Sequence, residues 1–210
     1  MTAALISPPL PDPFPCFDPP LRLGILASGN GSNMAAIADA ITHQTLQATI
    51  QVVIYNNPGA KVAERAQAAG IPAVLLDHRT FASREALDEA LIATLNAHQV
   101  SWVIMAGWMR RVTQVLIEGF PGRILNIHPS VLPSFPGIRA VEQAIAAGVQ
   151  VAGCTVHHVE LAVDSGPMIM QAVVPVMAGD TVETLQHRIQ VEEHRIYPAA
   201  IASAATGVKP

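Results

Sequence analysis

Charge is what this chain has least of. Only 13% of its 210 residues are Asp, Glu, Lys or Arg, against roughly a quarter in an ordinary globular protein. Lys and Arg are scattered, no run of them occurs, and the net charge is −4, which argues against nucleic acid as a main partner. Cysteine is scarce too. Cys16 and Cys154 stand far apart, too few for a disulfide framework and in keeping with a reducing, cytoplasmic setting. No apolar stretch reaches membrane-spanning length, so no membrane partner is expected. Basic residues are missing from the first twenty positions, "MTAALISPPLPDPFPCFDPP", and with them the charged start of a signal peptide and the arginines of a transit peptide. Those residues include seven prolines. They are expected to form an extended tail, residues 1–20, ahead of a single domain over 21–210.

What the chain has in plenty is apolar residues, at 50% of the total. From Leu21 they fall into alternating strand-like and helix-like segments. "LRLGILAS", "ATIQVVIYN", "PAVLLD", "SWVIMAG" and "RILNIH" read as short buried strands. Between the first four lie a helix from about Met34 to His43, a helix in "GAKVAERAQAAG" ending at Gly70, and an amphipathic helix in "SREALDEALIATLNAH". A short helix near 139–147 precedes two β-rich runs, "GCTVHHVEL" and "GPMIMQAVVPV". A final helix is expected from Asp180, capped by Asp180 with Glu183, to Tyr197 before Pro198. The order predicts an α/β fold: a mostly parallel, Rossmann-like sheet covered by helices, with a C-terminal β-hairpin-like portion and a last helix. In such sheets ligands bind beyond the carboxyl ends of the strands.

Three loops there carry possible chemistry. "SGNGSN" follows the first strand but has no lysine for a P-loop, and Met34 stands where a dinucleotide fingerprint needs a third Gly or Ala. A single phosphate at a helix start suits Gly31, Ser32 and Asn33 better, and a plain tight turn with a helix cap is the alternative. "NIHPSVLPSFPG" ends the fifth strand. Asn126 and His128 share a strand face by spacing, an amide donor beside an imidazole able to hold an oxygen and move a proton. The same residues also fit a strand end that caps its own backbone. "VDSGP" puts Asp164 on a turn beside Gly166 and Pro167, which by itself is only turn chemistry.

Together "SGNGSN", "NIHPSVLPSFPG", "VDSGP" and the late "RIQVEEHRIYP" stand in the order and spacing of phosphoribosylglycinamide formyltransferase, a family of purine synthesis that the chain resembles from about Leu21 onward. The wider superfamily, with methionyl-tRNA formyltransferase and formyltetrahydrofolate deformylase, shares the Asn-x-His and the downstream Asp. The resemblance implies 10-formyltetrahydrofolate as co-substrate, small-molecule partners, no metal, and either a monomer or a homodimer. It implies that Gly31, Ser32, Asn33, Gln190 and Glu193 bind the ribonucleotide. Arg84, Met109, Arg110, Arg111, Val112, Asn126, Glu160, Leu161, Ala162, Val163 and Asp164 match folate-binding positions. His128 matches the catalytic histidine, with Asn126 and Asp164 as its partners. The chain departs from the family pattern at Leu161 and Ala162, where acidic residues are frequent, and at Val141, near which many relatives place a His.

On that basis an amine attacks the formyl carbon, Asn126 and His128 hold the oxyanion, and Asp164 orients the imidazole. Pro129, Pro133 and Pro136 are expected to stiffen the loop. His157 and His158 are neighbours on a strand and face opposite ways, which argues against a metal pair. Trp102 and Trp108 suit core or pocket wall, and Cys154 a small buried hydrophobe. Two rival functions remain. A formyltetrahydrofolate deformylase would carry a further N-terminal domain, and a non-catalytic phosphate-binding module would not need Asn126, His128 and Asp164 together. A methionyl-tRNA formyltransferase would add a nucleic-acid-binding domain and a basic surface.

Overall fold

Apolar runs without alternation make strands that are buried on both faces, and parallel sheets are built from such strands. In "LRLGILA" every residue from Leu23 to Ala27 is buried. This is strand β2 (Leu21–Ala27) of a computed structural model that describes residues 4–207. The chain divides into two compact units. One is Cys16–Asn126; the other takes in the described residues of Met1–Pro15 and Ile127–Pro210.

In the first unit β2 pairs in parallel with β3 (Ala48–Tyr55) on one side and β5 (Trp102–Met105) on the other. Strand β4 (Ala73–Leu75) extends the sheet beyond β3, and Ile124–Asn126 of β6 (Ile124–His128) extend it beyond β5. Helices α1 (Ser32–Thr42) and α2 (Lys61–Ala68) pack on β3. Helix α3 (Arg84–Ala97) packs on the short α4 (Gln114–Gly119). Leu23, Ile25, Val53, Ile54, Leu91, Leu95, Val103 and Ile104 are fully buried between these layers. The strand order β4-β3-β2-β5 reverses direction between β2 and β5. That reversal marks the crevice where ligands enter an α/β sheet. The loops after β2 and after β5 both leave at that point.

The second unit is antiparallel. Strand β7 (Val151–His158) pairs with β8 (Met168–Pro175) across the turn holding Asp164. Short α5 (Ala140–Ala146) and the long α6 (Val182–Ala205) lie in the same unit, and α6 packs on both strands. Two features differ from the sequence-based expectation. Residues Leu5–Ser7 of the proline-rich segment form strand β1, antiparallel to β8 with Leu5 opposite Val173 and Ser7 opposite Gln171. Its three residues directly precede Pro8 and Pro9, which cannot donate to a ladder, and β1 lies at a sheet edge, where prolines are tolerated. Helix α6 is capped by Thr181 with Thr184, not by Asp180 with Glu183, and it continues through Pro198 to Ala205. Asp180 is committed elsewhere: it accepts bonds from Arg188 at 2.7 and 2.8 Å and from the Met177 N–H at 2.7 Å. No described helix is long and apolar enough to cross a membrane.

Candidate active site

In the first unit the phosphate-loop candidate is built by backbone geometry. Gly31 caps α1 at φ +75°, and a Cβ there would lie 2.6 Å from the Val62 side chain. Only glycine satisfies both the left-handed turn and the close approach of α2. No side chain caps α1 at Gly31, and Ser32 and Asn33 open its first turn. Ser32 is half-buried and Asn33 is buried. Strand β3 ends in Asn56 and Asn57 in place of a ribose-binding acid, and Asn57 is used structurally: its Nδ2 donates to the Ser28 carbonyl at 2.8 Å.

The folate-segment candidate leaves β5. Met109, Arg110 and Arg111 are exposed and Val112 is buried. The Met109 N–H donates to Ser28 Oγ at 2.8 Å, and the Ser28 N–H donates to the Gly107 carbonyl at 3.0 Å. At the far end the Thr113 N–H donates to Asp88 Oδ2 at 2.6 Å. Asp88 is 2% exposed. Burial pushes its carboxyl above the ordinary value, while the Thr113 bonds pull the other way. Arg84, one turn earlier on α3, is exposed at the helix start. Asn126 stands in register with Met105 at the end of the parallel strands and is half-buried.

His128 ends β6, two residues beyond Asn126 and on the same face of the strand. Within the second unit it meets Asp164: His128 Nδ1 lies 3.3 Å from Asp164 Oδ2. Its Nε2 lies 2.9 Å from the Phe135 carbonyl. A protonated imidazole donates to both acceptors, a neutral one to a single partner. Asp164 also faces His157, with Nε2 at 3.6 Å from Oδ1, and accepts the Gly137 N–H at 2.8 Å. Burial alone would raise the Asp164 carboxyl. The His157 and Gly137 hydrogen bonds and the two histidines' charges outweigh burial and hold it below the ordinary value. Asp164 has φ +52°, a left-handed conformation that Asp tolerates better than most residues. Behind it, a Cβ on Gly166 would collide with the His158 carbonyl.

The expected stiffening of "HPSVLPSFPG" has a cause beyond its prolines. Buried Thr155 Oγ donates to the Ser130 carbonyl at 2.7 Å and accepts the Leu132 N–H at 3.0 Å. Gln171 Nε2 donates to the Leu132 carbonyl at 2.9 Å and to Thr155 Oγ at 3.0 Å. The loop is therefore pinned from β7 and β8.

Glu160, Leu161, Ala162 and Val163, on the turn before Asp164, are all exposed. On α6, Gln190 is half-buried and Glu193 is 5% exposed, so Glu193 does not lie on a solvated helix face. Burial, together with the charges of Glu193 and Glu192, pushes the Cys154 thiol up. Cys154 is thus the inert buried residue expected. His157 is tied to Asp164 and, through Nδ1, lies 2.8 Å from the His158 carbonyl. Trp108 is buried and Trp102 partly so. Sequence reading missed Ser28, Asp88 and the Thr155–Gln171 pair. Asp88 left a signal: it lies beside Leu87 and three residues before Leu91, a carboxylate on the buried stripe of an amphipathic helix.

Residues 21–201 match the family model described as formyl transferase. A phosphoribosylglycinamide formyltransferase of Bacillus subtilis is 41% identical over 180 residues, 86% of this chain and 92% of the Bacillus protein. The crystal structure of glycinamide ribonucleotide transformylase 1 from Symbiobacterium toebii superposes with a TM-score of 0.87 at 50% identity, covering 89% of this chain and 88% of that one. The trifunctional purine biosynthetic protein adenosine-3 of Drosophila pseudoobscura is 44% identical over 191 residues, and the chain spans 14% of its length. The chain belongs to the formyl transferase family, among its phosphoribosylglycinamide formyltransferases.

Proposed function

We propose that this chain transfers the formyl group of 10-formyltetrahydrofolate to the amine of N1-(5-phospho-D-ribosyl)glycinamide, giving the N-formylglycinamide ribonucleotide and tetrahydrofolate in purine synthesis. The observation that carries the reading is the pairing of buried His128 with half-buried Asp164 at 3.3 Å, with His128 two residues past Asn126. The amine attacks the formyl carbon, and the carbonyl oxygen becomes an oxyanion. The Asn126 amide and the His128 Nε2–H are its donors; the formyl oxygen takes the place that the Phe135 carbonyl holds now. Asp164 orients the ring and stabilises its cation. Collapse breaks the bond from carbon to N10, and the proton lost by the amine ends on N10 by way of His128. The chemistry needs neither a metal nor a covalent enzyme intermediate.

Gly31, Ser32 and Asn33 take the substrate phosphate at the start of α1, supported by the glycine geometry there. Gln190 and Glu193 take its sugar or glycinamide end. Arg84, Met109–Val112, Asn126 and the turn Glu160–Asp164 take the folate. The formyltransferase domain is 21–210, preceded by the proline-rich segment 1–20. The partners are small molecules, not nucleic acid or membrane, the setting is the cytoplasm, and the active form is a monomer or a homodimer. The test is loss of 10-formyltetrahydrofolate by purified protein with and without the ribonucleotide. Loss that requires the ribonucleotide supports the reading. Equal loss without it indicates hydrolysis, the deformylase outcome, and rejects it.

A further inference from the structure

We infer that Ser28 and Asp88 are positioning residues that clamp the two ends of the segment Met109–Val112, an inference that rests on the reading of this segment as folate-binding. The segment has no ladder of its own. It runs between the end of β5 and the start of α4, and Met109, Arg110 and Arg111 are exposed. A segment in that position wanders unless its ends are tied, and every conformation it must give up on binding weakens affinity.

Both ends are tied by buried side chains. Ser28, 7% exposed, follows β2 and accepts the Met109 N–H at 2.8 Å. Its own N–H reaches the Gly107 carbonyl at 3.0 Å, and its carbonyl accepts Asn57 Nδ2 at 2.8 Å. Ser28 therefore stands at the point where strand order reverses, joining the loop that carries Gly31 to the segment after β5. At the other end Asp88, 2% exposed, accepts the Thr113 N–H at 2.6 Å. Thr113 in turn caps α4, its Oγ accepting the Val115 N–H at 3.3 Å. A carboxylate costs free energy to bury, and nothing in the formyl-transfer chemistry uses this one. Its hydrogen bonds are spent on the position of a backbone.

A clamp of this kind acts on binding of one substrate. Asp88→Leu removes the acceptor and keeps the volume near; it should raise the KM for 10-formyltetrahydrofolate roughly tenfold, about the size of one charge-assisted hydrogen bond. The kcat and the KM for the ribonucleotide should stay within about twofold, since no oxyanion donor is touched. Asp88→Asn keeps an acceptor oxygen and should restore most of the loss. Ser28→Ala, which loosens the opposite end, should reproduce the folate effect, and it keeps the test decisive if Asp88→Leu does not fold. Amide hydrogen exchange on the free protein supplies a readout independent of turnover: exchange at Thr113 should speed up in Asp88→Leu, and at Met109 in Ser28→Ala. A folded variant with faster exchange and an unchanged folate KM, or with a loss confined to kcat, overturns the inference while wild-type turnover keeps the folate reading intact. If wild-type protein neither binds nor turns over 10-formyltetrahydrofolate, the folate reading itself fails and the inference falls with it. Exchange then still reports whether the two ends are tied.

Discussion

Asp164→Asn is the substitution from which the geometry demands most. The variant keeps the shape of the side chain and an oxygen able to accept the Gly137 N–H, now at 2.8 Å. It removes the negative charge 3.3 Å from His128 Nδ1 and 3.6 Å from His157 Nε2. Two unit charges at the shorter separation attract by about 5 kcal/mol at an effective dielectric constant of about 20. Only the fraction of that attraction gained as the imidazole becomes cationic counts toward the barrier. Losing one preorganised partner of an oxyanion site costs about 2.7–4 kcal/mol, so kcat should fall by roughly 100- to 1,000-fold. Steady-state kinetics with both substrates saturating measures it, with circular dichroism to establish that the variant is folded. Stability supplies a second readout with a fixed sign. The folded-state value of Asp164 lies below the ordinary one, so the ionised carboxylate stabilises the fold above the unfolded value of about 3.9. That contribution is lost as the pH falls through the folded-state value. Wild type should therefore be more stable than Asp164→Asn at neutral pH, and the gap should close in acid. A folded variant that keeps more than about a tenth of wild-type kcat, a barrier change below about 1.4 kcal/mol, would refute the assigned role.

Three other outcomes are expected. His128→Ala should lose activity at least as far as Asp164→Asn, and the double variant should be little worse than the worse single one, because the two side chains act as a unit; additive losses in kcat would separate them. Glu193→Gln should raise the KM for the ribonucleotide several-fold and leave that for 10-formyltetrahydrofolate nearly unchanged, and the reverse pattern would move α6 to the folate half of the site. Deleting residues 1–20 should leave kcat intact but strip β8 of its partner β1, so the truncated protein should self-associate through the bared strand edge; analytical ultracentrifugation that finds no change in mass would reject the guarding role.

The fold was legible where the pattern is local. Runs such as "LRLGILA" and "WVIM" announce buried strands, and Gly70, at φ +68°, ends α2 as expected. Asn126 and His128 could be placed on one strand face because a period of two residues is enough to say so. The contacts around His128 are not local. Asp164 reaches His128 from the far side of β7, across 36 positions, and no periodicity encodes that. Thr155 and Gln171 looked like ordinary strand residues, because a buried hydroxyl and amide disclose their partners only after β7 and β8 have paired. Strand β1 was missed because three residues just ahead of a proline-rich run are too few to carry an alternation to read. The cap of α6 was misassigned by one residue, because Asp180, Thr181 and Thr184 all suit a helix start and the choice falls to Arg188, which takes Asp180 for itself.

The most direct test of direct formyl transfer, with His128 and Asp164 serving the oxyanion, follows the carbon itself. 10-Formyltetrahydrofolate labelled with carbon-13 in its formyl group is mixed with the ribonucleotide and the protein, and the label is followed by NMR. The account predicts that it appears on the nitrogen of the N-formylglycinamide ribonucleotide, one for each tetrahydrofolate formed, and that the Asp164→Asn variant delivers it to the same place far more slowly. Label released as free formate by the wild-type protein in the presence of the ribonucleotide would contradict it.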